Sequence, residues 1–195
     1  DTSIAEKVNH DGVSVTGNDG NVLSYPVHAS SNPSILSACN PVFIFVKTYN
    51  LETCMKDITP HLAQGTVLVS LQNGIGNDII IKKTWNDGPV VSGTTAMAAT
   101  STGPGAIRRG GSGPTVIGGP DVVSVEKVKL ALDRAGFEVK ITEDPQTAVW
   151  EKAVINSAIN PLGAIFNLPN GMLVKNPEIV SIQHDLVAEA CMVAQ

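Results

Sequence analysis

The sequence predicts an α/β fold, in which a parallel sheet is followed by the start of an all-α domain. Two continuous apolar runs, residues 42–46 and 66–71, are typical of strands buried on both faces. Helical segments follow them at residues 51–62 and 76–84, and strands that alternate with helices in this way indicate a parallel sheet. From residue 145 onward the sequence predicts only helices and loops.

The other elements of the first domain follow from turn residues and periodicity. Asn18-Asp19-Gly20 lies between two alternating segments and predicts a β-hairpin over residues 12–27. Three strands are predicted at residues 90–96, 106–109 and 114–117. A helix at residues 125–135, which ends at Gly136, and a last strand at residues 137–141 follow them. A domain boundary near Thr142 then divides the chain into residues 1–142 and 143–195.

Composition and charge exclude several classes of partner. The chain has 195 residues, is 43% hydrophobic and carries a formal charge of −5 without a basic run, which argues against nucleic acid. Its apolar runs are too short to cross a membrane, and its polar start is unlike a signal peptide. Three scattered cysteines fit a reducing cytoplasm, and four dispersed histidines predict no metal site.

A polar stripe runs along an otherwise apolar helix at residues 150–161. Lys152, Asn156 and Asn160 recur every fourth residue, which places them on one face of a helix. The apolar residues around them predict a buried helix, where polar groups need partners. Considered alone, Lys152 is more simply a solvated lysine. The repeat with two asparagines favours a polar substrate as the partner.

Two further polar residues follow the two buried strands. Lys47 ends the first strand and Asn73 follows the second. Ligands of open α/β sheets bind beyond the carboxyl ends of the strands, so both residues are expected near each other at that edge. The simpler readings are a strand-end charge for Lys47 and an Asn-Gly turn for Asn73.

A glycine-rich run at residues 110–119 resembles a phosphate-binding loop only superficially. The dinucleotide fingerprint follows a strand and opens a helix, whereas Pro114 and a β-rich segment follow these glycines. A hairpin turn is the favoured interpretation, and no GxGxxG in a strand–turn–helix context occurs in the chain.

The ordered motifs resemble those of the ketopantoate reductase (2-dehydropantoate 2-reductase) family. The specific element is Lys152-x3-Asn156-x3-Asn160-Pro161. It is preceded by Lys47, Gln72-Asn73-Gly74 and Gly93-Thr94-Thr95-Ala96, and followed by Asn167-Leu168-Pro169-Asn170-Gly171. The resemblance implies a Rossmann-like domain, a helical second domain, and NADPH-dependent reduction of ketopantoate to pantoate in pantothenate and coenzyme A biosynthesis.

The resemblance also implies roles for individual residues. Lys152 would be the general acid of an NADP-dependent oxidoreductase. Lys47, Asn73 and Ala99 would contact NADPH, and the substrate would be held by Asn73, Asn156, Asn160 and Asn170. A homodimer is one open arrangement.

The family pattern is matched in part. Its opening strand–GxGxxG–helix unit, its later serine-containing segment and an acidic residue near the active site have no counterpart here, so an internal portion of a longer enzyme is expected. NADPH rather than NADH is carried over from the family. Two alternatives stay open: a related 2-oxoacid reductase with another substrate, and a non-catalytic binding module.

Overall fold

The computed structural model describes residues 2–194, which form two sheets and seven α-helices within that range. The strands are β1 (Val13–Thr16), β2 (Val22–Tyr25), β3 (Val42–Ile44), β4 (Leu68–Ser70), β5 (Val90–Thr95), β6 (Ala99–Gly103), β7 (Ala106–Arg109), β8 (Thr115–Gly118) and β9 (Val139–Ile141). The helices are α1 (Thr2–Asp11), α2 (Leu51–Ile58), α3 (Asn77–Thr84), α4 (Val122–Arg134), α5 (Pro145–Phe166), α6 (Asn170–Leu173) and α7 (Pro177–Val193).

The larger sheet confirms the predicted α/β class. Its strand order is β3-β4-β5-β8-β9. The first three strands are parallel, with Ile44 opposite Ser70 and Ser70 opposite Ser92. The one antiparallel pair joins β5 to β8, and β9 again lies parallel to β8.

Helices cover both faces of this sheet. On one face, Leu51 and Met55 of α2 and Ile81 of α3 pack with Leu68 of β4. On the other face, α4 contributes Val125, Val128 and Leu132 to a core with Val69 and Val91. Because both faces are apolar, β4 has no solvent-facing side, and all three of its residues are buried. Gly136 follows α4 with a φ of +81°, as the sequence predicts for the residue that ends this helix.

The edge strand β3 departs from the prediction of a strand buried on both faces. Val42 and Ile44 are buried, whereas Phe43 is half-buried and Phe45 is 64% exposed. The two phenylalanine rings stack with their centroids 6.4 Å apart. Side chains alternate between the two faces of a strand. Phe43 therefore points to the α4 side of the sheet, where it packs at the margin of that core, and Phe45 lies beyond the end of β3.

A long antiparallel ribbon joins the two sheets and corrects the prediction for the glycine-rich run. β5 and β8 belong to the larger sheet, and their chains continue as β6 and β7 of the smaller sheet, whose order is β2-β1-β7-β6. Between the sheets the Ala98 amide donates to Gly111 at 2.9 Å. The hairpin turn is therefore at residues 104–105. Residues 110–113 lie along one arm, where a Cβ at Gly113 would stand only 2.7 Å from the Cβ of Ala96.

The N-terminal region contains one confirmed and one missed element. The hairpin of β1 and β2 pairs Val13 with Tyr25, and Gly20 in its turn has a φ of +81°, which glycine adopts without strain. Helix α1 was not predicted, because its sequence is mostly polar; Val8 is the one residue of this helix that is buried.

Helix α5 is longer and more exposed than the sequence predicts. Its only buried residues are Ala158 and Leu162, and Ile155 is 56% exposed, so the expectation of a helix buried on most sides is wrong for the described residues. Leu162 packs with Leu173 and Ile179 in a small core shared with α6 and α7. No helix within residues 2–194 is long and apolar enough to cross a membrane.

Candidate active site

The site lies where β3 and β4 end. Their paired register stops at Ile44 and Ser70, and the following segments, residues 45–48 and 71–73, border a cavity of about 250 Å³. Within residues 2–194, three more residues line this cavity: Thr95 at the end of β5, Met97, and Lys152 of α5. Three polar residues predicted from the sequence, Lys47, Asn73 and Lys152, therefore border one cavity.

Lys152 is tied to the larger sheet by one strong hydrogen bond. Its Nζ donates to the main-chain carbonyl oxygen of Thr95 at 2.6 Å. The side chain is half-buried, and burial lowers the pKa of its ammonium because the charged form loses hydration. No carboxylate of residues 2–194 forms an ion pair with it, so the ammonium is free to meet an anionic ligand.

The Asn73 loop is held by side chains beneath it. Asn77 donates its Nδ2 to the carbonyl oxygens of Asn73 and Gly74 at 3.1 and 3.2 Å. The Thr48 hydroxyl donates to the same Asn73 oxygen at 3.4 Å, which links the two strand-end segments. Gly74 has a φ of +100°, a conformation that side-chain-bearing residues rarely adopt. The Asn73 side chain itself is exposed and available to a ligand.

Two residues of the cavity wall have roles that sequence reasoning did not find. Thr95 contributes a main-chain carbonyl, a group that every residue carries, so no side-chain pattern could reveal it. Gln72 is only 9% exposed, accepts a hydrogen bond from the Ser70 hydroxyl at 3.1 Å and donates to the carbonyl oxygen of Val46. A glutamine directly after an apolar strand was the available signal.

The other predicted site residues lie outside this cavity. Asn156 is half-buried and Asn160 is exposed, further along α5 than Lys152. Asn170 opens α6, and its Oδ1 lies 3.4 Å from the position that a Cβ at Gly163 would occupy. Ala99 is exposed at the start of β6. The structure thus joins Lys47, Asn73 and Lys152 at one cavity and leaves the remaining four apart from it.

The chemistry of the cavity suits a small anion with a carbonyl group. Two lysines provide positive charge, and a carboxamide offers both a donor and an acceptor. Phe45, Leu71 and Met97 supply apolar wall. Among residues 2–194 no group of three or more His, Cys, Asp or Glu side chains could hold a metal ion.

Comparison with protein families places this geometry in context. Residues 2–122 match the family model described as ketopantoate reductase PanE/ApbA, and residues 144–195 match the model of its C-terminal part. A 2-dehydropantoate 2-reductase of Halobacterium salinarum is 31% identical over 192 residues, which are 97% of this chain and 63% of that protein. The one from Pyrococcus horikoshii is 32% identical, over 97% of this chain and 62% of that protein. The chain therefore spans less than two thirds of the length of these relatives.

Solved structures show the same architecture. A PanE/ApbA family ketopantoate reductase from Ralstonia eutropha superposes with a TM-score of 0.85 at 27% identity, over 97% of this chain and 62% of the other. A D-mandelate dehydrogenase, solved with NADH and anilino(oxo)acetate, superposes with a TM-score of 0.86 at 23% identity, over 98% of this chain and 62% of the other. The similarity to the D-mandelate dehydrogenase shows a common fold.

Proposed function

Because this chain belongs to the ketopantoate reductase family, we propose that the protein reduces 2-dehydropantoate to pantoate with NADPH, in the cytoplasm and on the route to pantothenate and coenzyme A. The observation that carries the proposal is the convergence of Lys47, Asn73 and Lys152 on one cavity. These residues come from three separate segments of the chain. Lys47 and Asn73 were predicted from their positions after two buried strands, Lys152 from the polar repeat of its helix, and their roles from the resemblance to the family.

Lys152 is proposed as the general acid. Reduction of a ketone leaves negative charge on the carbonyl oxygen, and a positioned acid that protonates this oxygen accelerates the reaction by about 10²–10⁴-fold. The Lys152 ammonium has the required proton, and its one hydrogen-bond acceptor in the described structure is the Thr95 carbonyl. Transfer of that proton to the substrate oxygen leaves a hydroxyl on the product and a neutral lysine amine.

A nicotinamide cofactor fits the residues at the strand ends. When bound, its reduced form supplies the hydride that the keto carbon takes up. Lys47 is exposed and would hold the negatively charged part of the cofactor, while Asn73 and Ala99 would contact it nearby. A volume of about 250 Å³ is below the 300–1,000 Å³ of a typical whole-ligand pocket, so this cavity fits one portion of a dinucleotide.

Asn156, Asn160 and Asn170 are proposed to hold the substrate together with Asn73. Carboxamides donate hydrogen bonds to carboxylate and hydroxyl oxygens without adding charge. In this proposal the polar face of α5 belongs to a helical substrate domain that begins after Thr142, and residues 1–142 form the cofactor domain. The protein is proposed to act as a soluble reductase, with a homodimer as one arrangement.

The test is a reductase assay with the protein at its full gene-encoded length. NADPH and 2-dehydropantoate are mixed with the enzyme, and the nicotinamide absorbance is followed. Turnover that disappears in Lys152→Ala supports the proposal, and absence of turnover in the wild type refutes it. Parallel assays with NADH and with linear, branched and aromatic 2-oxo acids determine the preferred cofactor and substrate. A clear preference for another acid assigns the protein to a related 2-oxoacid reductase activity.

A further inference from the structure

The side chain of Gln72 lies in the cavity wall and connects the two segments that follow β3 and β4. The two strands are in register up to Ile44 and Ser70, and that register continued would set Val46 opposite Gln72. The paired ladder has already ended there. The Gln72 Nε2 donates to the Val46 carbonyl oxygen instead, so a side-chain amide replaces the missing main-chain bond.

This bridge is fixed at its other end as well. The Gln72 Oε1 accepts a hydrogen bond from the Ser70 hydroxyl at 3.1 Å, and Ser70 is only 4% exposed. Both ends of the carboxamide are therefore engaged, which leaves the Gln72 side chain one orientation. An amide with little exposure whose donor and acceptor are both engaged resists rotation, because the bonds that rotation breaks lie where water has little access.

The bridge stands directly between two proposed ligand contacts. Val46 precedes Lys47, and Gln72 precedes Asn73, so the bond from Gln72 to Val46 ties the main chain beside Lys47 to the main chain beside Asn73. A second link, from the Thr48 hydroxyl to the Asn73 carbonyl oxygen, is longer, at 3.4 Å, and joins exposed residues. The Gln72 bond is partly buried and so is better shielded from water, which makes it the stronger constraint on the spacing of the two segments.

We infer that Gln72 is a positioning residue, which sets the separation of Lys47 and Asn73 and thereby the affinity of the site for its nicotinamide cofactor. This inference rests on the proposed function. Gln72 acts through its neighbours and takes no part in proton transfer, because Lys152 is held by Thr95 on a different strand. Loss of the bridge therefore weakens cofactor binding and leaves the catalytic step nearly intact.

The test is Gln72→Met, which keeps the length of the side chain and removes both hydrogen bonds. NADPH is titrated against the full-length protein by fluorescence, and steady-state rates are measured. We expect the Kd and KM for NADPH to rise by about three- to tenfold, the range of one buried hydrogen bond, with kcat changed by less than about twofold. Ser70→Ala should raise Kd less, and the double variant should bind no more weakly than Gln72→Met alone.

Gln183→Met is the matched control, because Gln183 is 8% exposed, lies on α7 and is absent from the cavity wall. It should lower thermal stability without altering Kd.

If Gln72→Met does not fold, Gln72→Glu takes its place, since a carboxylate accepts from Ser70 but cannot donate to Val46. An unchanged Kd in a folded Gln72 variant overturns the inference. A crystal structure of that variant in which residues 45–48 and 71–73 keep their separation also overturns the inference, and this result does not depend on turnover. A wild-type protein without turnover overturns the proposed function instead.

Discussion

The Lys152 ammonium donates a 2.6 Å hydrogen bond to the main-chain carbonyl oxygen of Thr95. This contact joins the first residue of the polar face of α5 to the end of β5, where the chain leaves the larger sheet. Because the acceptor is a main-chain atom, the position of the amine depends on the backbone of the ribbon and on no single side chain. An ammonium carries three N–H groups, so two remain that can donate to an incoming carbonyl oxygen while the bond to Thr95 holds the amine in place.

Removal of the ammonium should greatly reduce turnover while leaving cofactor binding intact. In Lys152→Ala we expect kcat to fall by about 10²–10⁴-fold, the usual contribution of a positioned acid. Lys175→Ala is the matched control, because that lysine is exposed and lies outside the cavity wall. A Lys152→Ala variant with more than a tenth of wild-type kcat would contradict the assignment.

The rate should fall at alkaline pH earlier than an ordinary lysine allows. Burial lowers the pKa of Lys152, and the acid form exists only below that pKa. As pH rises through the lowered value, the proton to be donated is lost and kcat/KM decreases. The measurement is the pH profile of kcat/KM, which reports the groups of the enzyme before the substrate binds. A kcat/KM that stays constant up to the ordinary lysine range, at about pH 10, would contradict a lowered pKa of Lys152 in the role of the acid.

Lys47 should contribute charge to cofactor binding. In Lys47→Ala we expect the Kd for NADPH to rise by about two- to fivefold, as for an exposed ion pair, and the effect should diminish at high salt. Lys47→Arg keeps the charge and should retain most of the affinity. Lys56→Ala, an exposed lysine at the end of α2, should bind as the wild type does. Equal effects of Lys47→Ala and Lys56→Ala would remove Lys47 from the site.

Gly93 should tolerate no side chain. A Cβ at this position of β5 would stand 2.0 Å from the Val116 carbonyl oxygen and 2.9 Å from the Ile117 Cα, so the β5–β8 pair would have to separate. We expect Gly93→Ala to lower the free energy of unfolding by about 1–3 kcal/mol or more, measured by urea denaturation. Gly111→Ala is the control, since nothing lies within 4 Å of its added Cβ. Equal stability of the two variants would show that the ribbon can yield at Gly93.

Asp144 should stabilise α5 in a pH-dependent way. Its Oδ1 accepts from the amides of Gln146 and Thr147 at 3.1 and 3.2 Å, and the hydrogen bond from the Thr147 hydroxyl is the main cause of its lowered pKa. The stabilisation is present above the ordinary pKa of 3.8 and is lost as pH falls through the lowered value. Asp144→Ala should reduce Tm by about 2–4 °C at pH 7.

The reference variant for this prediction is Asp144→Asn, which keeps an acceptor oxygen without the charge. At pH 7 the Tm of Asp144→Asn should lie between those of the wild type and Asp144→Ala. At low pH its Tm should lack the decrease that protonation of the Asp144 carboxylate causes in the wild type. A difference in Tm between the wild type and Asp144→Ala that stays the same at pH 7 and at pH 2 would show that the carboxylate does not cap α5.

Local patterns in the sequence were enough to locate the strands and the polar residues that follow them. Lys47 and Asn73 could be expected together, because the carboxyl ends of parallel strands meet at one edge whatever the side chains are. Their roles, and that of Lys152, stay predictions. The role of Thr95 could not be predicted from the sequence, because Thr95 acts through its main-chain carbonyl and every residue type has that group.

The misassigned elements share a non-local cause. The run at residues 110–113 has the composition of a turn, yet its glycines are needed where the ribbon brings Gly113 against Ala96 between the two sheets. Helix α1 gave no signal, since a single buried residue, Val8, anchors it. The exposure of Ile155 likewise depends on which elements pack against α5, and periodicity along one helix cannot supply that information.

The hydrogen bond between Thr95 and Lys152 joins residues that are 57 positions apart in the chain. The cavity wall is therefore complete only after both of these distant segments have been synthesised and have packed together. As the chain leaves the ribosome, the segments that carry Lys47 and Asn73 emerge with the strands they follow, whereas the ammonium arrives only with α5. Closure across such a distance in the chain is entropically costly and therefore slow. We expect the cavity to be completed late in biosynthesis, after the sheet that supports it.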